Sequence, residues 1–197
     1  MPIPGQLVIR NPSVLSRKNT IQSLLILFLF SLMGCSGKHD SKLKFSFQLN
    51  DKEGFVPTNQ LAIWIEKTDG NCFKTFFLCD YLAYGGFTDY TICPHWECRD
   101  QWVNSSVEVI DAVSQATPDI GDVILEFDLP VNDMPPGKYQ YCIEIHVAEN
   151  YNELYYGDIE INGKDDPVIG EARVSYTPEK YPKGSNLLSN VQVTYTN

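Results

Sequence analysis

Histidine is scarce in this chain: three residues of 197, against ten phenylalanines and eleven tyrosines. So few imidazoles leave little material for a Ser–His–Asp or Cys–His–Asn constellation, and His39 lies in a polar tether-like stretch. Lysine and arginine are also few, 15 against 25 acidic side chains, for a net charge of −10. Nucleic-acid binders neutralise phosphates with clustered basic residues, so nucleic acid is not an expected partner. No apolar run reaches the roughly 20 residues that span a bilayer. A Gly-rich phosphate loop, His-Glu-x-x-His and Cys-x-x-Cys are all missing, and the commonest signatures of nucleotide and zinc chemistry are missing with them. What remains is 43% hydrophobic and 12% aromatic, enough to bury a core and too much for a disordered chain.

The N-terminus reads as an address. Residues 1–34 carry Arg10, Arg17 and Lys18 and no acidic side chain, followed by the apolar run Leu24 to Phe30 and Leu32-Met33. A basic start, a short apolar core and a small-residue exit are the parts of a secretory signal. The exit, Leu32-Met33-Gly34-Cys35, resembles the lipobox of bacterial lipoproteins, with Met33 in place of a smaller residue. That resemblance implies a diacylglycerol thioether on Cys35 and cleavage before it, with residues 35–43 as a polar tether. Ser36 is not the Asp that retains lipoproteins at the inner membrane of enteric bacteria. The expected location is the cell envelope, on the periplasmic side or at the outer membrane. Removing residues 1–34 leaves 12 basic and 25 acidic side chains, a net charge of −13. Such a domain is held to a membrane by its lipid, not by its charge.

From Lys44 onward the dominant period is two. Phe45, Phe47 and Leu49 alternate with polar neighbours, and Leu61, Ile63 and Ile65 do the same before the turn residues Thr68-Asp69-Gly70-Asn71. Residues 61–78 therefore predict a hairpin. Further strands are predicted over Val123–Leu129, Tyr139–Val147, Leu154–Ile161, Arg173–Tyr176 and Val191–Tyr195, separated by Pro135-Pro136-Gly137-Lys138, Asn162 to Pro167 and Tyr181 to Gly184. Eight or so short strands predict an all-β domain over 44–197, an immunoglobulin-like antiparallel β-sandwich with one long loop. Tyr139, Tyr141, Ile143, Ile145 and Val147 fall on one strand face and are assigned to its core. Cys142, Glu144 and His146 alternate with them and are read as a partly exposed polar face. The long irregular stretch, Asp80 to Asp122, holds one helical turn within Ser105–Ala116 and is where a site is expected.

Export favours disulfides. Cys72 and Cys79 flank one predicted strand and would stand about 23 Å apart. A bridge tolerates only about 4.4–6.8 Å between Cα atoms, so they do not pair with each other. Cys79 with Cys93 or Cys98 is the favoured pairing, Cys93–Cys98 the competitor, and Cys142 the thiol left over. Cys93, His95 and Cys98, with Cys79, also form a possible zinc set, but the oxidising compartment weighs for disulfide and no metal is assigned.

Asp111-Ala112-Val113-Ser114-Gln115-Ala116-Thr117 resembles the acceptor motif of covalently flavinylated envelope proteins, Asp-x-x-Ser/Thr-Gly-Ala-Thr, with Gln115 in place of the Gly. By that resemblance Thr117 would carry FMN through its phosphate, and Asp111, Ser114 and Ala116 would be recognition positions. Glu108, Asp111, Asp119 and Asp122 crowd the position and would repel a phosphate. A wider pattern carries a second resemblance. It comprises Leu61 to Glu66 with Asp69-Gly70, Phe73 to Phe77, Pro94-x-Trp96, Asp111 to Pro118, and Pro136 to Tyr139 leading into Ile143-Glu144. From about Asn59 to the C-terminus it is similar to an uncharacterised group of bacterial periplasmic proteins, domain of unknown function 2271. Members of that group lie near flavin-transferase and membrane redox genes. Because Ser-x-Ala-Thr-Pro is also a mark of this group, a structural turn outweighs flavinylation: no cofactor is expected, and FMN is the alternative.

These readings lead to a non-enzymatic, lipid-anchored accessory or binding module of an envelope redox system, with envelope redox proteins as partners. The alternative is an electron carrier with FMN on Thr117.

Overall fold

Among the described residues, period-two patterning becomes ten strands. The structure is a computed structural model and describes residues 41–96, 98–130, 133–161 and 168–196. The signal segment, Cys35 and the turn at 162–167 lie outside the described residues. The strands are β1 Ser41–Leu49, β2 Gln60–Lys67, β3 Cys72–Cys79, β4 Ser114–Gln115, β5 Gly121–Leu129, β6 Gly137–Ala148, β7 Tyr151–Ile161, β8 Val168–Ile169, β9 Arg173–Thr177 and β10 Leu188–Thr196. They form a three-stranded sheet, β10-β1-β5, and a seven-stranded sheet, β4-β3-β2-β6-β7-β8, with β9 also paired to β7. The sandwich class stands. The division of strands, three against seven, is not the four-and-three or four-and-five of immunoglobulin domains.

The core lies between the sheets. Leu43, Phe45, Phe47 and Leu49 of β1 are buried, as are Tyr139, Tyr141, Ile143, Ile145 and Val147 on one face of β6. Edge-on ring contacts join the layers, Phe45 to Tyr141 at 6.5 Å, with a tilted pair between Phe76 and Phe127 at 5.3 Å. Tyr141 is large for a central strand, and Gly157 opposite it in β7 makes the room. A Cβ on Gly157 would lie 2.5 Å from the Tyr141 hydroxyl oxygen.

The predicted hairpin at 61–78 is β2–β3. Asp69 accepts from the Asn71 backbone N–H at 3.1 Å, and Gly70 takes a φ of +79° that a side chain would resist.

Both faces of the larger sheet are covered, which the alternation alone does not convey. Ala62 and Trp64 of β2 and Cys142, Glu144 and His146 of β6 are buried on the face turned away from the smaller sheet. The reading of that face as partly exposed is thereby corrected. Its cover is the segment expected to be irregular. It holds helix α1 (Asp80–Tyr84), a 3₁₀ turn (Gly86–Thr88), helix α2 (Arg99–Trp102) and helix α3 (Val107–Val113). The helical turn expected within Ser105–Ala116 is α3, started by Ser106, whose side chain accepts from the Val109 N–H.

A disulfide fixes this cap, but not the one expected. Cys72 at the start of β3 is bridged to Cys98, with Cα atoms 5.0 Å apart, and Cys79, Cys93 and Cys142 are buried outside that bridge. The pairings of Cys79 with Cys93 or Cys98, and of Cys93 with Cys98, are overturned. The reason is that the cap folds back along β3, so its middle, at Cys98, reaches the strand's beginning before α3 and β4 return to its end. Replacing Cys72 and Cys98 by Ala opens a loop of sequence separation 26. Urea unfolding is expected to show a loss of about 3 kcal/mol; an unmoved midpoint would contradict a load on this bridge.

Candidate functional site

Strand register brings the buried polar side chains together under the cap. Gln60 stands opposite His146, Ala62 opposite Glu144, and His146 opposite Asn152. Glu144 and Asn152 meet the loop between the 3₁₀ turn and α2. Glu144 is fully buried and binds His95 twice, accepting from its backbone N–H at 3.0 Å and meeting Nδ1 at 2.7 Å. The other imidazole nitrogen of His95 lies 3.2 Å from the Thr177 hydroxyl, on β9. Burial pushes the Glu144 carboxyl up from its ordinary range, and the bonds from His95 pull it back.

Asn152 is satisfied on every side. Its amide oxygen accepts from the Cys93 N–H and meets His146 Nδ1, both at 3.0 Å, while its NH₂ donates to the carbonyls of Thr91 and Asn150. The thiol of Cys79 donates to the Gln60 side chain at 2.6 Å, and that of Cys93 lies 3.5 Å from the Glu144 carbonyl. Burial raises both thiol pKa values, Cys93 the more, so neither is a ready nucleophile. Cys98 is oxidised, so the zinc set loses a thiolate.

Arg99 closes the cap from within. It is 4% exposed, and its two terminal nitrogens donate to four backbone carbonyls: Phe87, Asp89, Ile92 and Cys93. Its guanidinium also lies over the rings of Tyr90 and Trp96, at 4.9 and 5.4 Å. Trp96 in turn donates to the Thr75 hydroxyl at 3.1 Å, and Trp102 to the Ala83 carbonyl at 3.0 Å.

Sequence reasoning missed Arg99, Asn152 and Gln60. Arg99 carries a signal that could have found it, since it is the sole lysine or arginine between Asp80 and Asp122. A single cation in an acidic loop has many carbonyls to serve.

The flavin-like motif lies beside this cluster, not in it. Asp111, at the end of α3, accepts from the Tyr84 hydroxyl at 2.6 Å, and Ser114 donates to Asp80 at 2.7 Å. The two bonds tie α3 and β4 to α1. Ala116 is exposed and Thr117 half-buried, in the irregular segment between β4 and β5. A groove of about 370 Å³ opens alongside α3, lined by Phe73, Lys74, Trp102, Glu108, Val109 and Val113 among others. Thr117 does not line it.

A family model described as a predicted periplasmic protein, DUF2271, matches residues 40–176. The chain belongs to the DUF2271 family. The matched stretch runs from β1 to within one residue of the end of β9 and takes in the whole cap; β10, which completes the smaller sheet, lies outside it. Comparison with curated proteins found no match, and neither did comparison with solved structures. Among the described residues, no helix is long and apolar enough to cross a membrane, and no group of three or more His, Cys, Asp or Glu is placed to hold a metal ion. As a DUF2271 protein the chain is a predicted periplasmic protein of unknown function.

The buried imidazole gives the DUF2271 cap a pH dependence. Desolvation lowers the His146 pKa from its ordinary 6.5. A histidine depressed in the folded state contributes stability that is full above its unfolded pKa and is lost as pH falls toward the folded one. Below 6.5 the native protein is expected to lose stability relative to His146→Gln, by at most about 1.4 kcal/mol per pH unit. Urea unfolding of both at neutral and mildly acid pH checks this; a pH-independent difference would contradict it.

Proposed function

We propose that this DUF2271 protein is a non-catalytic accessory or binding module, held at the envelope by a lipid on Cys35 and serving a flavin-linked membrane redox system. One observation supports the non-catalytic part: the buried acid, the buried imidazole and both buried thiols beneath the cap are bonded within it. Glu144 is bound by His95, His146 by Asn152, and the thiols of Cys79 and Cys93 are buried with raised pKa values. His95 itself reaches solvent, its side chain 40% exposed with the Thr177 hydroxyl 3.2 Å from its outer nitrogen. The larger exposed feature of the cap is the groove beside α3, mainly apolar, with Lys74 and Glu108 at its wall. Such a surface suits binding.

The location and the redox link rest on sequence. The lipobox-like Leu32 to Cys35 supports the anchor, and the DUF2271 resemblance supports the flavin-linked setting. The alternative, FMN on Thr117, draws on the placement of that residue in an irregular segment a transferase could reach. Against it, Asp111 and Ser114 already serve Tyr84 and Asp80, and Glu108, Asp111, Asp119 and Asp122 flank Thr117 in sequence.

Co-expression with a flavin transferase separates the two readings. The accessory module is expected to show an intact mass without the FMN increment and no flavin fluorescence on a denaturing gel. A mass increment abolished by Thr117→Ala would overturn it in favour of the carrier.

A further inference from the structure

An acid, an imidazole and a hydroxyl from distant parts of the chain meet at the rim of the cap. Glu144 of β6 accepts from the His95 backbone N–H at 3.0 Å through Oε2, while its Oε1 faces Nδ1 at 2.7 Å. The outer nitrogen of the ring, Nε2, lies 3.2 Å from the hydroxyl of Thr177, the last residue of β9. Sheet register sets that hydroxyl in place. His146 stands opposite Asn152, and Asn152 opposite Thr177, so β6, β7 and β9 present these side chains on the face the cap covers. Asn152 also holds the loop that carries His95, through the Cys93 N–H and the Thr91 carbonyl. One residue therefore anchors both sides of the contact between His95 and Thr177.

Order and burial suit the activation of a hydroxyl. An ionised carboxylate can only accept, so Glu144 keeps the imidazole proton on Nδ1 and leaves the Nε2 lone pair toward Thr177. The second bond, from the backbone N–H, orients the carboxylate for that task. The Glu144 side chain has no exposure, that of His95 is 40% exposed, and Thr177 is half-buried. The acid is thus shielded from water while the imidazole edge and the hydroxyl are within reach of a reagent. A buried acid behind an imidazole behind a hydroxyl is the arrangement by which hydroxyl nucleophiles are activated on unrelated folds. Holding the cap needs only the bonds between Glu144 and His95, and the reach onward to Thr177 adds nothing to that closure.

We propose that Thr177 is a reactive hydroxyl that takes an acyl group from an activated carboxylic ester, with His95 as its base and Glu144 positioning the imidazole. This goes beyond the accessory reading and does not depend on it, since one transfer onto the protein's own threonine is modification without turnover. In the step, Thr177 Oγ1 gives its proton to His95 Nε2 and forms a bond to the ester carbonyl carbon. The bond from that carbon to the leaving oxygen breaks, and Nε2 passes the proton to the leaving oxygen. The products are a threonine ester and a free alcohol or phenol, with His95 returned to its starting form. Charge favours an acyl over a phosphoryl donor. The hydroxyl lies one imidazole away from a buried carboxylate, in a chain of net charge −10, which repels a phosphate and not a neutral carbonyl.

The test treats the full chain with p-nitrophenyl acetate and locates acetyl groups by peptide mass mapping. Thr177 is expected to be acetylated at least about tenfold faster than the exposed Thr68, because a positioned base assists it alone. Thr177→Ser is expected to keep the label at that position, and Thr177→Val to lose it. His95→Gln retains the backbone N–H that Glu144 uses and is expected to slow labelling to the rate of Thr68. Imidazole nitrogen chemical shifts give the readout for positioning: His95 is expected to carry its proton on Nδ1, and Glu144→Gln to lose both that preference and the fast labelling. Should a variant fold poorly, the wild-type comparison of Thr177 with Thr68 decides by itself. Labelling at Thr177 no faster than at Thr68, or unaltered in His95→Gln, would overturn the proposal, as would a wild-type His95 protonated on Nε2 alone. Such a failure leaves the accessory reading, tested by the FMN mass increment, standing.

Discussion

The cap on the larger sheet depends on one guanidinium that has almost no contact with water. Arg99 donates to the carbonyls of Phe87, Asp89, Ile92 and Cys93, and these span a loop too irregular to satisfy them by secondary structure. A buried carbonyl without a donor costs about 1–3 kcal/mol. The Asp89 and Cys93 carbonyls also accept turn bonds from the Ile92 and Trp96 N–H groups, and a planar fork of N–H donors meets all four at one point. The arginine is itself disfavoured by burial, which lowers its pKa. The carbonyl dipoles and the rings of Tyr90 and Trp96 compensate it.

The polar layer below follows from that closure. With the loop held down, Cys93 and His95 present their backbone N–H groups to Asn152 and Glu144. Those side chains would otherwise be polar residues on an apolar sheet face. A second buried carboxylate does similar work elsewhere: Glu153 accepts from the backbone N–H groups of Asn186 and Leu187, fixing the approach to β10 against β7. In both places a buried acid accepts from backbone N–H groups of a distant segment.

Much of the sandwich is legible in the sequence because its strands obey a strict local rule. Phe45, Phe47 and Leu49 alternate, the hairpin turn at Asp69-Gly70 has the right residues, and the odd-numbered side chains of Tyr139 to Val147 all enter the core. The other face of β6 is not legible. Cys142, Glu144 and His146 read as polar, and whether a polar face meets water or a cap depends on a segment 50 residues earlier in the chain, around His95. The cysteine pairing fails for the same reason. Proximity in sequence favours Cys79 with Cys93 or Cys98, whereas the return of the cap along β3 delivers Cys98 to Cys72. The flavin-like motif shows the limit from the other direction. Its Asp111 and Ser114 are tied to Tyr84 and Asp80, bonds between segments that no short pattern encodes.

Hydrogen exchange in Arg99→Met tests most directly whether this side chain holds the cap closed. The backbone amides of Cys93 and His95 donate into the polar layer, and the Trp96 amide closes a turn on the Cys93 carbonyl. They are predicted to lose protection by at least about tenfold in the variant, while amides of the β6–β7 ladder keep theirs, because the cap then opens without the sandwich. Unchanged protection across Cys93 to Trp96 would contradict the account. So would an equal loss in the cap and in β6–β7.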